Sequence, residues 1–340
     1  MKISAGVPTY ASTDFRFPSD RLFEYARAAE SYEFSGLWAI EHLVTPPTYA
    51  TSWYDPLTAL ATIAGETNSI QLGTSILNLP LRNPVLVAQR AATIHALTGG
   101  RLTLGLGTGY LPSEFDAVDV PFDERSKRFR EGVELMRRLF TEETVTFDGE
   151  FYSVESFSLE PAVGNPPKLL TAGEGAERES GRTVAKTVLD RLDHADGWIS
   201  PPRAMETLQS DWADFSDHLE STGRDPSSVH RVGLQYLHMV PNVDESVATE
   251  KQDRVFERIT GESDPRVDQM QDFEQNWLYG DTDAIVDRIG GYADAGFDEL
   301  ILHPVTPDPS ELDHQLRLWR DRVLPVFSCA GPPFAVSTDR

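Results

Sequence analysis

The sequence contains very little cysteine and no long hydrophobic run. Cys329 is the only cysteine in 340 residues, which excludes an internal disulfide and a metal site built from several thiolates. No stretch reaches the roughly 18 consecutive apolar residues of a membrane helix, and the N-terminal MKISAGVPTY lacks the apolar core of a signal peptide. These absences predict a protein of a reducing cytoplasm with no membrane contact.

Basic residues, and lysine above all, are also scarce. Lys and Arg number 30 against 54 Asp and Glu, which gives a formal net charge of -24, and five of the 30 are lysines. Such a surface repels nucleic acid and anionic lipid. We interpret the composition as adaptation to a salty cytosol, since screening at molar salt shortens the Debye length to about 3 Å. An ordinary acidic enzyme is the alternative.

Eight short β-rich runs alternate with helical patterns along the whole chain. The runs are Lys2 to Val7, Gly36 to Ile40, Ile70 to Leu77, Leu102 to Leu106, Lys168 to Ala172, Gly197 to Ile199, Val232 to Val240 and Glu299 to Leu302. Strands that alternate with helices pair in parallel, and eight such units favour a closed (β/α)8 TIM barrel of the α/β class. An open doubly wound sheet is the alternative. We expect one domain over residues 1–327 and a C-terminal tail over 328–340.

Signals for helix ends support this alternation. Asp55-Pro56 and Asn83-Pro84 each place a capping residue before a proline at the first helical position, and Gly99-Gly100 ends the second of these helices. Three segments are too long for simple loops: Tyr110 to Glu124 after strand 4, Thr144 to Pro167 before strand 5, and about Asp244 to Gly280 after strand 7. We expect insertions that follow a barrel strand to wall the catalytic face.

The segment before strand 5 contains its own hairpin signal. In VTFDGEFYSV, Asp148-Gly149 separates two alternating runs, which predicts a two-residue turn between antiparallel strands.

Alternating glycines follow the fourth β-rich run in GGRLTLGLGTGYLPSEF. Gly105, Gly107 and Gly109 give G-x-G-x-G, one residue short of the dinucleotide-binding spacing G-x-G-x-x-G, and a proline follows where that motif needs a helix. The run instead fits a barrel strand whose exit lies at the catalytic face. Glycines there allow a flat ring to approach the backbone closely.

Residues 72–115, LGTSILNLPLRNPVLVAQRAATIHALTGGRLTLGLGTGYLPSEF, resemble the luciferase-like monooxygenase superfamily, and the resemblance extends over residues 1 to about 327. It implies a (β/α)8 oxidoreductase, most similar to the branch that uses the deazaflavin coenzyme F420, and a homodimer. FMN is the alternative cofactor, and its use would make the protein a monooxygenase. A binding protein of the same fold without turnover is a further alternative.

The resemblance implies a catalytic role for His42, at the end of strand 2 in WAIEHL. An imidazole there can exchange a proton while a hydride moves to or from the ring. The alternative is a histidine that only binds a loop carbonyl. Glu41 beside it is assigned to cofactor contact. Glu114 matches an acidic position of the strand 4 loop and is assigned a catalytic contact with ring or substrate, with a solvated loop carboxylate as the alternative.

The resemblance also assigns the cofactor-binding backbone. Ser75 and Ile76 match a strand 3 bulge that contains a non-proline cis peptide and supports the central ring, where the alternative is an ordinary strand. Thr108 and Gly109 line the exit of strand 4.

The phosphate tail is assigned to the exit of strand 5, at Ala172, Gly173, Gly175 and Ala176, where backbone N–H groups at a helix start can bind an anion. Arg178 and Arg182 stand close enough in sequence to assist. A glycine-rich turn is the alternative.

Two departures from the family pattern argue against glucose 6-phosphate as substrate. In the sugar-phosphate dehydrogenases of this branch a catalytic glutamate follows GTG, and here that residue is Tyr110. The family pattern also has a tryptophan two residues after the strand 2 histidine, and here that residue is Val44. Tyr110, His238 and His303 are assigned to the substrate pocket. We expect no metal among the histidines, since strand 1 ends in VPTY where metal-dependent barrels have His-x-His.

Overall fold

Eight parallel strands close into a barrel in the computed structural model, which describes residues 1–12, 19–43, 51–177, 181–260, 277–278, 280–306 and 309–327. The barrel strands are β1 (Lys2–Val7), β3 (Gly36–Ala39), β5 (Gln71–Asn78), β6 (Leu102–Gly107), β9 (Lys168–Ala172), β10 (Gly197–Ser200), β11 (His230–Leu237) and β12 (Glu299–Pro304). They pair in chain order around the ring, and β12 closes it against β1. The predicted closed barrel is confirmed, and the open sheet is excluded.

The predicted strands coincide with the observed ones to within a few residues, except at the end of β11. The apolar run predicts a strand as far as Val240, whereas β11 ends at Leu237. The backbone of Met239 instead exchanges two hydrogen bonds with the side-chain amide of Gln315, at 2.7 and 3.0 Å. A side chain thus satisfies the polar groups that a longer strand would have paired.

Helices cover the outside of the barrel. They are α1 (Ser19–Ser31), α2 (Pro56–Ala64), α3 (Pro84–Leu97), α4 (Pro112–Asp116), α5 (Arg125–Thr141), α6 (Lys186–Leu189), α7 (Met205–Ser221), α8 (Glu245–Thr260), α9 (Thr282–Asp294), α10 (Pro309–Arg322) and α11 (Leu324–Phe327). Short 3-10 helices lie at Leu79–Leu81, Phe122–Glu124, Asp190–His194 and Pro226–Ser228.

The predicted helix caps lie at the observed helix ends. The Asp55 side chain accepts from the Thr58 N–H at the start of α2, and Asn83 accepts from the Val85 N–H at the start of α3. Gly99 and Gly100 follow α3 with positive φ. None of the helices in the described ranges has the length and apolarity that a bilayer crossing requires.

Two short antiparallel hairpins accompany the barrel: β2 (Tyr10–Ser12) with β4 (Thr51–Trp53), and β7 (Val145–Asp148) with β8 (Ser153–Phe157). The second confirms the predicted hairpin, but the two-residue turn is wrong, since residues 149–152 connect the strands. The Glu131 carboxylate of α5 accepts from the backbone N–H groups of Glu150, Phe151 and Tyr152, at 2.7 to 3.0 Å. Binding to this carboxylate stabilises a wider loop than Asp148-Gly149 predicts by itself.

The barrel interior is packed with large side chains. Trp38, Leu170, Ile199, Val232, Leu234 and Ile301 form one buried cluster. At the amino end, the buried Glu299 carboxylate accepts from Ser4 and Trp38. The barrel is therefore filled below its carboxyl end, where the strand exits remain open. The predicted tail over residues 328–340, with Cys329, lies outside the described residues.

Candidate active site

A cavity of about 420 Å³ opens at the carboxyl ends of the barrel strands. It is lined by Ile40, Glu41, His42, Trp53, Ser75, Ile76, Asn78, Gly107, Thr108, Gly109, Tyr110, Ala172, Gly173, Glu174, Val188, Arg191, Pro201, Pro202, Leu234, Tyr236, Trp277, Pro304 and Val305. Most of these residues end a strand or follow one directly. The cavity has the volume and the mainly apolar wall of a small-molecule site.

His42 and Glu114 form a hydrogen-bonded pair at the cavity wall. His42 Nδ1 lies 3.1 Å from Glu114 Oε1, and the same oxygen accepts from the Leu43 N–H at 2.8 Å. Since a carboxylate oxygen accepts, Nδ1 carries the proton and Nε2 is the basic nitrogen of the neutral ring. Trp53 and Tyr110 meet the imidazole edge-on, with ring centroids 4.9 and 5.8 Å away.

Glu114 lies behind His42 rather than at the ligand surface. Its side chain is fully buried and does not line the cavity. Both the direct contact with ring or substrate and the solvated alternative are therefore wrong for this residue. Its contact with a cavity-lining side chain is the one with His42.

Glu41 lines the cavity, but its carboxylate already has protein partners. It forms an ion pair with Arg82 and accepts from the Asn78 N–H at 2.6 Å. Burial raises the pKa of the Glu41 carboxyl, and the Arg82 charge offsets part of that effect. These contacts hold the β3 exit against the β5 exit. A direct contact between Glu41 and a cofactor stays a prediction.

The predicted bulge in β5 is present. The Ser75-Ile76 peptide bond is cis, and the pairing of β5 with β6 shifts register between Thr74 and Leu77. Both Ser75 and Ile76 line the cavity. The Ser75 hydroxyl lies 3.0 Å from Nε2 of the buried His303, which supports the bulge from the barrel interior.

The alternating glycines have different roles. A Cβ on Gly105 would meet the Thr74 carbonyl oxygen at 2.1 Å, so this glycine lets β5 and β6 pack together. Gly107 lines the cavity, and a Cβ there would lie 3.0 Å from Ile76 Cγ2. Gly109 adopts φ 73°. Of the three, Gly107 and Gly109 line the cavity beside Thr108, whereas Gly105 belongs to the barrel packing.

The predicted phosphate site at Gly175 and Ala176 is wrong. The Gly175 N–H donates to the buried carboxylate of Asp211 at 3.0 Å, and the Ala176 N–H donates to the Thr183 carbonyl. Arg182 binds the same Asp211 through two hydrogen bonds. The anion these groups bind is therefore part of the protein. Ala172 and Gly173 do line the cavity, and Arg178 lies outside the described residues.

The three histidines assigned to the site do not come together. His42 lines the cavity, whereas His303 is enclosed behind Ser75, and His238 is buried with Nε2 3.7 Å from the Glu311 carboxylate. The assignment of His238 and His303 to the substrate pocket is therefore wrong, because each is directed toward a neighbouring element instead. Tyr110 lines the cavity as predicted. Val44 lies outside the described residues.

Comparison with known proteins agrees with this barrel. The family model for luciferase-like monooxygenases matches residues 2–299. The chain belongs to the luciferase-like monooxygenase family. An F420-dependent glucose-6-phosphate dehydrogenase from Kineococcus radiotolerans is 29% identical to this luciferase-like protein over 327 residues, 88% of this chain and 92% of that one.

A second relative and a solved structure were also compared. An F420-dependent hydroxymycolic acid dehydrogenase from Mycobacterium tuberculosis is 31% identical over 236 residues, 66% of this chain and 61% of that one. The solved structure of an F420-dependent secondary alcohol dehydrogenase in complex with an F420-acetone adduct matches with a TM-score of 0.75 at 20% identity, covering 96% of this chain and 99% of that one; it shows the shared fold. The luciferase-like protein is thus an oxidoreductase, as predicted.

Several lining residues of the luciferase-like barrel escaped sequence reasoning. Asn78, Pro201 and Pro202 end or follow a barrel strand, and that position alone could have identified them. Trp53 and Trp277 come from segments outside the barrel strands and carry no motif. Arg191 lies in the 3-10 helix Asp190–His194, in a sequence rich in both charges, so that nothing local distinguishes it from a surface arginine.

Proposed function

We propose that the protein transfers a hydride between coenzyme F420 and a small apolar alcohol or its carbonyl product, with His42 exchanging the accompanying proton. The observation that carries the proposal is the His42–Glu114 pair at the wall of a cavity that opens at the strand exits. Two relatives named as F420-dependent dehydrogenases support the cofactor.

The residues at the cavity fit a flat ring. Gly107 leaves the end of β6 without a side chain, and Ser75 and Ile76 form the neighbouring surface. These residues and Thr108 would hold the ring system against main chain. Bound F420 would supply a ring carbon that accepts or donates a hydride.

The protein's own part in the reaction is to handle the proton. When an alcohol is oxidised, its C–H bond gives up a hydride with two electrons, and its hydroxyl proton must go to a base. Nε2 of His42 accepts that proton, and the Glu114 carboxylate then faces an imidazolium, which it stabilises electrostatically. In the reverse direction the imidazolium returns the proton to the developing alkoxide.

The wall composition favours an apolar substrate. The cavity surface is mainly apolar and includes the rings of Trp53, Tyr110, Tyr236 and Trp277, although a few charged and polar side chains also line it. Among the described lining residues Arg191 is the one lysine or arginine. A single cation does not suffice to bind a phosphate on the substrate in addition to the phosphate of the cofactor. The relative from Kineococcus radiotolerans is named for glucose 6-phosphate, which we expect this protein not to oxidise.

Titration of the purified protein with F420 and separately with FMN, followed by fluorescence, tests the cofactor. We expect saturable binding of F420. A panel of secondary alcohols, with glucose 6-phosphate as the comparison, is then assayed for loss of deazaflavin absorbance. His42→Ala is the matched variant, and it should bind F420 as well as wild type but show no turnover.

The outcomes distinguish the alternatives. Binding of FMN without F420 would replace the proposal by a flavin monooxygenase. Binding of F420 with no turnover of any alcohol or carbonyl compound in the panel, in either direction, would leave a cofactor-binding protein without catalysis. Turnover unchanged in His42→Ala would remove His42 from the mechanism.

A further inference from the structure

Arg191 is a cation in the cavity wall for which the described residues provide no counter-anion. Its described contacts are one hydrogen bond, from Nη1 to the Ala172 carbonyl at 2.9 Å, and the face of Phe129, whose ring centroid lies 5.3 Å from the guanidinium carbon. Nε is buried and has no hydrogen-bond partner among the described residues. No described carboxylate forms an ion pair with it, although the chain carries 54 acidic residues.

The charged residues around Arg191 do not neutralise its positive charge. Two other arginines near the β9 exit are neutralised, Arg182 by Asp211 and Arg203 by Glu174. Burial, with a smaller contribution from the positive charge of Arg125, lowers the pKa of Arg191 to about 10. Arg191 therefore remains charged at neutral pH, and the charge that acts on it from nearby is positive.

The position of Arg191 fits the far end of an extended ligand. It lies beside Ala172 and Gly173 at the end of β9, three strands around the ring from β3, which leads to His42. A Cβ on Gly173 would lie 2.5 Å from Val188 Cγ1 and 3.6 Å from Arg191 Nη1, so the missing side chain lets both residues pack close to the β9 exit. The cavity thus has a proton-exchanging end at His42 and a cationic end at Arg191.

We propose that Arg191 binds the phosphate of the cofactor's side chain. This inference rests on the proposed function and moves the phosphate site from the Gly175 backbone, whose N–H is taken by Asp211, to a side chain. A guanidinium presents several N–H donors in a plane and suits a phosphate diester better than an ammonium does. The phosphate supplies the missing counter-charge.

The test compares cofactor forms that differ in the phosphate. The ligands are F420, its derivative that ends in phospholactate without glutamates, and the deazaflavin ring with its ribityl chain alone. Each is titrated against wild type, Arg191→Gln, Arg191→Lys and Arg90→Gln by fluorescence. Arg90 is exposed on α3 outside the cavity, so Arg90→Gln removes the same charge elsewhere.

We expect Arg191→Gln to weaken binding of both phosphate-containing forms by about 10- to 100-fold, since a charge-assisted hydrogen bond is lost. Arg191→Lys should restore part of it, and Arg90→Gln should match wild type. Binding of the phosphate-free ring should be the same in all four proteins, which also shows that each is folded. Salt should weaken wild-type binding of F420 more than that of Arg191→Gln.

Equal affinity of wild type and Arg191→Gln for the phosphate-containing forms would overturn the inference, and a rise in the substrate KM instead would assign Arg191 to the substrate. If the wild type binds no deazaflavin, the proposed function fails, and the same comparison with FMN and riboflavin still tests the phosphate site. If Arg191→Gln loses the same affinity for FMN as for riboflavin, which has no phosphate, the inference of a phosphate site would be overturned.

Discussion

His42 Nδ1 and Glu114 Oε1 are 3.1 Å apart, although 72 residues separate them in the chain. The first follows β3 and the second lies in α4, after β6. The barrel brings these two exits together, and the contact fixes which nitrogen of His42 is basic. Under the proposed function, Glu114 is a positioning residue that acts through His42.

Glu114→Gln should lower kcat by about 100-fold while KM and the affinity for F420 stay near wild type. The amide retains the size of the side chain but cannot balance an imidazolium. Steady-state kinetics and cofactor titration measure both quantities.

The double variant His42→Ala/Glu114→Gln is the control. If Glu114 acts through His42, the double variant should be no slower than His42→Ala alone, since residues of one unit are not additive. Additive losses would show that Glu114 has a separate role.

Gly107→Ala should weaken cofactor binding about tenfold with little change in stability. The added Cβ would crowd Ile76 and project at the surface where the ring is proposed to lie. Gly164→Ala is the matched control, since nothing lies within 4 Å of a Cβ there. Titration with F420 and thermal unfolding are the measurements. Unchanged affinity in Gly107→Ala would place the ring elsewhere.

His303 should make the fold sensitive to mild acid. Burial lowers the pKa of His303 from 6.5 to about 3. Between these pH values the imidazole is protonated in the unfolded chain and neutral in the native protein. The contribution of the neutral imidazole is complete above pH 6.5 and is lost progressively as the pH falls toward 3. Between pH 7.5 and 5 the free energy of unfolding should drop by about 2 kcal/mol on this account.

Urea unfolding of wild type and His303→Gln at these two pH values tests this. The variant removes the titrating ring and keeps an amide able to bond Ser75, so it should lose less stability than wild type on acidification. Equal losses in the two proteins would contradict the assigned role, whatever their absolute stabilities.

Salt should stabilise the protein. With a net charge of -24 the folded chain repels itself, and screening weakens that repulsion. The unfolding midpoint should rise as KCl is increased from about 0.1 M to about 1 M. A midpoint that does not change with KCl would favour an ordinary acidic enzyme over adaptation to a salty cytosol. The homodimer, which the family resemblance implies, stays a prediction that sedimentation can test.

The local sequence determined the helices and strands of this protein, because the patterns that specify them involve residues close together in the chain. Alternation of β-rich and helical runs, the caps Asp55 and Asn83, and the stop at Gly99-Gly100 all depend on neighbours in the chain. Eight repeats of one unit then leave little choice but a closed barrel. His42, the Ser75-Ile76 bulge and the exit at Thr108 were found because family resemblance attaches to such local motifs.

Tertiary structure decided which polar groups remain available to a ligand. The sequence around Gly175 predicts an anion-binding loop, but Asp211 of a distant helix accepts from its N–H, whereas no described carboxylate pairs with Arg191. Glu114, His238 and His303 were likewise placed behind the cavity wall by contacts with residues far away in the chain. Hydrogen bonds and ion pairs join residues that are distant in the chain. The sequence therefore shows which polar groups are present, but not which of them already have a partner within the protein.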